Sequence, residues 1–352
     1  MYDFRFNYPL SDNHHKLLLK NLKDIGPEIN LGMVPVGGLD ADRQVASRWL
    51  SVPGSEIAAE NIFIAGGGHQ AMTSILLCAG LAGKVVVADA ITYNGLKSVA
   101  GMLNVKLAAC PTDEEGMLPD ALYEICRKTG AKAVYLMPTI HNPLCIVMPL
   151  KRRLEIVEVA RKLDLILIDD DAYGFLEAQP PLNFARLAPE RSFYIYSFAK
   201  PLSAGLKTSY IVVPPQWQSR IIEAIRITGS GAPMLLNRLT SQVINSGDAE
   251  AIIVEKRAEG ALRQQIVADV LAGVPYHTHP NSFHIWIPLP ADLNVAHAEA
   301  RLQSRGVEVV TSLSYQIEND VANNGIRLAL GNVHRHADIR DGLEIVAEVL
   351  KS

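Results

Sequence analysis

The chain runs to 352 residues, 49% of them hydrophobic, with a mean hydropathy of +0.13; that is enough apolar material for one large core and a smaller one, and it excludes a disordered chain. Thirty-three Lys and Arg against 37 Asp and Glu leave a net charge of -4, and with no dense basic block the composition offers nothing to a nucleic acid, so a small-molecule ligand is expected. Cys78, Cys110, Cys126 and Cys145 stand far apart with no Cys-x-x-Cys pair, the pattern of reduced cytoplasmic thiols rather than of a disulfide framework or a zinc site.

The first ten residues include Asp3 and Arg5 and lack the apolar core of a signal peptide. The longest apolar stretch, 74–89, is interrupted by Lys84 and is too short to cross a bilayer as one helix, so no membrane is expected. From about residue 61 to 213, short runs rich in Val and Ile alternate with helical periodicity. This predicts an α/β domain on a mainly parallel, seven-stranded sheet with helices on both faces. Strands are expected at 62–65, 85–88, 107–110, 133–137, 165–169, 193–197 and 210–213. Helices are expected at 69–81, 119–128 and 150–163, the last because Leu150, Leu154, Val157, Ala160 and Leu163 recur at three and four residues. After Pro214-Pro215 long helical patterns run to about 271, followed by a strand at 283–287, a helix at 294–305, strands at 307–310 and 326–330, and a closing helix at 339–350. That is a second, smaller α+β domain. The expected division is an N-terminal arm at 1–35, a large domain at 36–225 and a small C-terminal domain at 226–352.

Ligands of open α/β sheets collect at the carboxyl ends of the strands, so the polar residues there carry the functional reading. Gly66-Gly67-Gly68-His69-Gln70 follows the first strand; it suits either an anion on bare amides at a helix N-terminus or a tight turn that needs glycine. It lacks the third glycine of a dinucleotide fingerprint, and 80–85 does not make a Walker loop. Tyr93, after the next strand, either stacks on a flat ring or packs. Asn142 in Asn142-Pro143 either bonds a ligand oxygen or marks a turn. Further on, Asp169-Asp170-Asp171-Ala172-Tyr173 places three acids in a row, which repel unless a cation compensates. Asp169 and Asp171 are read as capping and solvated residues, leaving Asp170 for a buried cation.

Ser197-Phe198-Ala199-Lys200 completes the set. Three successive strand ends thus deliver an amine, a carboxylate, a phenol and a carboxamide, which is what an aldehyde cofactor with a basic pyridine ring and a phenolic oxygen requires. Lys200 supplies a Schiff-base amine, Asp170 keeps a pyridinium protonated, and Asn142 and Tyr173 bond the ring oxygen. The set points to pyridoxal 5'-phosphate.

Ser-x-x-Lys has a rival meaning as the nucleophile and base of penicillin-binding enzymes, and Ser11-Asp12-Asn13 and Lys207-Thr208-Ser209 lend it a surface likeness. The order and intervals are wrong, and that reading leaves Asn142, Asp170 and Tyr173 unexplained. His277-x-His279 and His334-x-His336 lack a matching carboxylate or thiol motif, so loop histidines and no metal are expected.

With these motifs placed, the chain resembles the class I/II aminotransferases of fold type I, in particular the aminotransferase-like domain of MocR-type regulators. The likeness runs over 38–49, 67–72, 92–95, 137–143, 168–176, 188–191, 197–207, 282–288 and 326–331. It implies Lys200 as the Schiff-base lysine, Asp170 on the pyridine nitrogen, Asn142 and Tyr173 on the ring oxygen and Tyr93 on the ring face. It further implies phosphate contacts from Gly68, His69, Ser197 and Lys207, a substrate α-carboxylate on Arg327 beside Asn142, and a homodimer. The regulators carry a winged-helix DNA-binding domain; here residues 3–9 already resemble the start of the enzyme domain, so a free-standing enzyme without a DNA reader is expected.

Three departures accompany the resemblance. Lys207 stands where arginine is usual, Leu144-Cys145 replaces Thr-Gly, and Met33 stands near the place of a tyrosine that reaches the neighbouring subunit's phosphate. The implied activity is transfer of an amino group between an amino acid and a 2-oxo acid, with Lys200 moving the Cα proton. The alternative is a lyase, decarboxylase or oxidase acting on a specialised amino acid. A third reading is a non-catalytic ligand sensor.

Overall fold

Residues 62–65, 86–89, 133–136 and 192–197 are buried along their whole length, so both faces of the sheet they form are covered. In the computed structural model, which describes residues 1–11, 13–25, 32–290, 293–318 and 324–351, the sheet order is Ile62–Ala65, Ser209–Val212, Ser192–Ser197, Ile166–Asp171, Ala133–Leu136, Val85–Asp89, Lys106–Cys110. Ser209–Val212 runs antiparallel to both neighbours, and the other pairings are parallel. Unbroken apolar runs such as Val85-Val86-Val87 are what a doubly covered parallel sheet demands.

Helices cover the two faces. Gly68–Cys78 buries Met72, Ile75 and Leu76 against Ile195 and Ile211. Leu150–Leu163 buries Ile156, Val157 and Ala160 on the opposite face with Val134 and Leu167. Asn94–Met102 is a helix the periodicity does not announce, because Gly95 and Gly101 interrupt its apolar pattern.

The second core lies under the antiparallel strands His284–Pro288, Gly325–Ala329 and Val310–Thr311, packed by Val295–Ser304 and His336–Lys351. The strand expected at 307–310 is split: Val307–Glu308 pairs in parallel with Tyr2–Asp3, and Val310–Thr311 pairs with Gly325–Ala329. The chain changes sheets at Val309, and Phe4 is thereby carried into the second core. Asp12, the middle of the Ser-Asp-Asn triplet, lies outside the described residues.

The 23-residue helix Asp248–Val270 is unusual in what it buries: Lys256, Gly260, Arg263 and Gln264 lie on its inward side with Ile252, Ile253 and Val267. These polar groups meet backbone carbonyls. Arg263 donates to those of Leu330 and Val333, and Gln264 to Ser282 at 2.7 Å, while neighbouring Arg257 reaches Phe175 at 2.7 Å and Glu177 at 3.0 Å. Gly260 leaves room for a further approach, since a Cβ there would sit 2.2 Å from the Asn281 carbonyl oxygen.

Two glycine substitutions should therefore differ in sign. Gly260→Ala drives a methyl into backbone, and the clash of about 1–3 kcal/mol outweighs the helix propensity gained. Gly101→Ala meets nothing within 4 Å and should stabilise by roughly 0.5 kcal/mol. Thermal denaturation of both variants beside wild type checks the pair.

Candidate active site

The site begins where strands end. At the mouth of Ile62–Ala65, Gly67 takes φ 107, a left-handed conformation that glycine adopts without strain, and the helix Gly68–Cys78 starts there with amides that meet no backbone carbonyl among the described residues. An added Cβ on Gly68 would lie 3.6 Å from the Ser197 Cβ, so this helix end and the end of Ser192–Ser197 lie side by side. The Lys207 stem runs past Gly67, its Cδ 4.0 Å from where a Cβ would be. His69 and Tyr93 face each other, Nε2 to hydroxyl at 3.3 Å. Burial, then Lys207 and Lys200, lower the His69 proton affinity.

The three aspartates are separated by strand alternation, which sends Asp169 and Asp171 to one side and Asp170 to the other. Tyr135 donates to Asp170 Oδ2 at 2.6 Å. Burial pushes the Asp170 carboxyl up to about 6 against the pull of that hydrogen bond. Asp171 accepts from the Gly174 amide at 2.7 Å, as a capping residue does, and from the Tyr194 hydroxyl at 2.6 Å. Asp169 is not solvated: it is 1% exposed, accepts from the Phe184 amide at 2.9 Å, and is pushed up to about 7 by burial, with Arg153 opposing.

Arg153 also fixes the Asn142 loop. Its guanidinium, fully buried, donates to the carbonyls of Met148 and Pro138 and to the Thr139 hydroxyl, each at 2.9 Å. Asn142 Oδ1 lies 3.4 Å from Arg327 Nη1. Arg327, buried on Gly325–Ala329, gives its other arm to the Arg5 carbonyl, and its Nε has no hydrogen-bond partner among the described residues. At position 145 the backbone takes φ 62, so the conformation that suits glycine is kept while the side chain is cysteine.

Lys200 stands in the turn after Ser192–Ser197 and donates to the Asn7 carbonyl at 2.6 Å, over the Tyr8 ring at 3.6 Å. Desolvation, then Arg327, Lys256 and Lys207, depress its amine to about 7. Tyr173 is buried against His284, ring centroids 5.1 Å apart. His284 is neutral, pushed down to about 3 chiefly by burial; its Nε2 donates to the His141 carbonyl at 3.1 Å and its Nδ1 accepts from Asn7 Nδ2 at 3.2 Å.

All ten sequence-predicted residues, Gly68, His69, Tyr93, Asn142, Asp170, Tyr173, Ser197, Lys200, Lys207 and Arg327, line one cavity of about 630 Å³. Sequence reading missed Asn7, Tyr8, Tyr135, His284 and Tyr315. Only Tyr135 left a usable trace, a hydroxyl inside an otherwise apolar strand. The larger cavity, about 740 Å³, lies elsewhere, along 144–147 and 276–279, and holds none of the ten. His279 pairs with Glu177 and His336 with Glu259.

Asp170 also sets a stability prediction. Charged in a buried site with a carboxyl near 6 rather than 3.8, it costs the apoprotein roughly 3 kcal/mol above pH 6. Asp170→Asn should therefore stabilise the apoprotein by up to that amount at pH 8. The gain should shrink as pH falls from 6 to 4, where the folded wild type takes up the proton before the unfolded chain does. Denaturant titrations across that range measure it.

The family model for aminotransferase class I and II aligns with residues 7–340. A 2-aminoadipate transaminase of Thermus thermophilus is 25% identical over 336 residues, covering 92% of this chain and 82% of that protein. The HTH-type transcriptional regulators YdeF and YdfD of Bacillus subtilis are 27% and 25% identical, each covering 88% of this chain, which spans 67% and 64% of their lengths. In fold, Pyrococcus horikoshii kynurenine aminotransferase superposes with a TM-score of 0.91 at 24% identity, covering 100% of this chain and 91% of that one. The fold is thus that of the type I transferases, and the chain belongs to the class I and II aminotransferase family.

Proposed function

We propose that this chain is a pyridoxal-phosphate-dependent aminotransferase that moves an amino group between an amino acid and a 2-oxo acid. The observation that carries this reading is one cavity in which a crowded amine, Lys200, a buried carboxylate, Asp170, and a buried guanidinium with an orphaned Nε, Arg327, converge without pairing to one another. The residues present fit the cofactor. Free amides at Gly68, the Ser197 hydroxyl, His69 and the Lys207 amine would hold its phosphate. Asp170 would hold the ring nitrogen, Asn142 and Tyr173 the ring oxygen, Tyr93 the ring face and Lys200 the aldehyde carbon.

When bound, the cofactor supplies an electron sink for carbanion chemistry at the substrate Cα. The chain's own residues do the rest. Arg327 takes the α-carboxylate with its planar guanidinium, its Nε having no competing partner among the described residues, and Asn142 steadies that group. A Lys200 amine near 7 is largely neutral slightly above neutrality, so it can accept a proton at Cα and return one to an adjacent carbon. Tyr135 keeps Asp170 ionised by donating to it, and a cation placed beside Asp170 lowers its proton affinity further. With lysine at position 207 the phosphate has a point charge rather than a fork.

A homodimer is part of the proposal. Met33, at the place of a partner-reaching residue, is fully exposed, and exposed Phe6 and Leu313 lie near the cavity mouth or beside it in sequence. A cytoplasmic location is supported by four free, buried cysteines; among the described residues no helix is long and apolar enough to cross a membrane. The division into an arm at 1–35, a large domain at 36–225 and a small one at 226–352 is supported by the two cores. It is softened where Met234–Asn245 packs on the large sheet and Phe4 on the small one.

Three measurements test the reading. Purified protein with the cofactor should show a visible chromophore that shifts to the aminated form with a suitable amino acid, and borohydride should fix the cofactor to Lys200; fixation elsewhere overturns it. Arg327→Lys should raise KM for the amino acid on the order of 100-fold by losing the two-pronged contact. The rate should rise with pH through about 7 as Lys200 sheds its proton, and Lys200→Ala should abolish the activity; a rate flat through that range counts against Lys200 as the proton carrier.

A further inference from the structure

We infer that Lys256 is a positioning residue for Lys200: reaching from the helix Asp248–Val270, its amine grips the turn that presents the reactive amine and, when protonated, sets a second positive charge behind it. Lys256 is 1% exposed. Its Nζ donates to the Lys200 carbonyl at 3.1 Å and to the Leu202 carbonyl at 3.0 Å. Neither carbonyl receives a backbone amide among the described residues, where the turn is otherwise closed by Leu202 and Ser203 amides on the Phe198 carbonyl and by Leu206 on Ser203. Two of the turn's orphan acceptors are thus met by one side chain from a different part of the chain.

The chemistry is more demanding than packing requires. An amine with no carboxylate within ion-pair distance is a costly way to bond two neutral carbonyls; among the described residues Lys256 has none, and burial lowers its proton affinity to about 7, so it carries its charge below neutrality. The charged and titratable groups around it are Lys200 from the turn and His14 from the helix His14–Asp24. Its neighbour Glu255 is engaged by Asn13, and Arg257 by the carbonyls of Phe175 and Glu177. A neutral donor would satisfy the carbonyls; the charge adds repulsion toward the amine of Lys200, which favours the neutral form. The same helix holds Phe175 and Glu177, just after Tyr173, and Ser282, Leu330 and Val333, which flank His284 and Arg327. Lys256 is the member of this series that acts on the amine itself.

The inference rests on the reading of Lys200 given above, and its test separates the two. In the holoenzyme without substrate, the pH titration of the Lys200-linked chromophore should move upward by roughly half to one unit in Lys256→Met. Lys256→Arg, which keeps the charge, should stay near wild type. With amino acid, kcat of Lys256→Met should fall about 10-fold while KM changes less than about twofold, because Lys256 touches no substrate. A folded Lys256→Met with an unmoved midpoint overturns the inference. Should that variant fail to fold, the reciprocal measurement remains: in Lys200→Ala apoprotein, NMR titration of 13C-labelled lysine should show the Lys256 amine gaining proton affinity by a similar amount, and no gain overturns the inference. That measurement needs no cofactor, so a wild-type protein whose chromophore borohydride does not fix at Lys200 would count against the aminotransferase reading alone.

Discussion

The ionic groups of this site are solvated by neutral dipoles rather than by counter-ions, and the surrounding architecture follows from that constraint. Asp170 rests on the Tyr135 hydroxyl, Lys200 on the Asn7 carbonyl, Arg327 on the Arg5 carbonyl and the Asn142 amide oxygen, Lys256 on two carbonyls of a turn. Mutual ion pairs would have quenched the charges and fixed them to one another. Dipoles leave Asp170, Lys200 and Arg327 unpaired with one another and facing the cavity, at the cost of shifted proton affinities: upward for Asp170, downward for Lys200 and for Lys256 behind it, each through desolvation first.

Such an arrangement needs rigid backbone, since carbonyls can only solvate a charge if they are held in place. The parallel sheet provides half of the rigidity by ending five of its strands beside the cavity. The helix Asp248–Val270 provides the other half, tying the turn of Lys200, the segment after Tyr173 and the flanks of His284 and Arg327 to one rod. Gly260 lets that rod approach Asn281 more closely than any side chain would allow.

Much of this was legible in the residues. The seven strands were marked by β-branched runs bounded by polar clusters, and the site residues by their place at strand ends, so all ten fell into one cavity. Period-two alternation even separates Asp170 from its two acidic neighbours. What was not legible has a common cause. Asn7, Tyr8 and Arg5 act through backbone or from a segment about 190 residues away from Lys200, where no local pattern speaks. The long helix hides its inward face, because Lys256, Arg263 and Gln264 read as solvent residues until the carbonyls they meet are known. Asp169 misled for a similar reason: its partners, Arg153 and the Phe184 amide, come from other elements.

The pairing of Tyr2–Asp3 with Val307–Glu308 closes the chain's first residues onto its last sixth. Contacts at that sequence separation form late, after the intervening loop entropy has been spent on nearer neighbours. The segment that brings the carbonyls of Arg5 and Asn7 to their cations is held by a strand some three hundred residues further along the chain. The wall that Arg5 and Asn7 contribute to the pocket is thus anchored by a pairing that needs residues 307–308, whereas the seven strands of the main sheet lie wholly within 62–212.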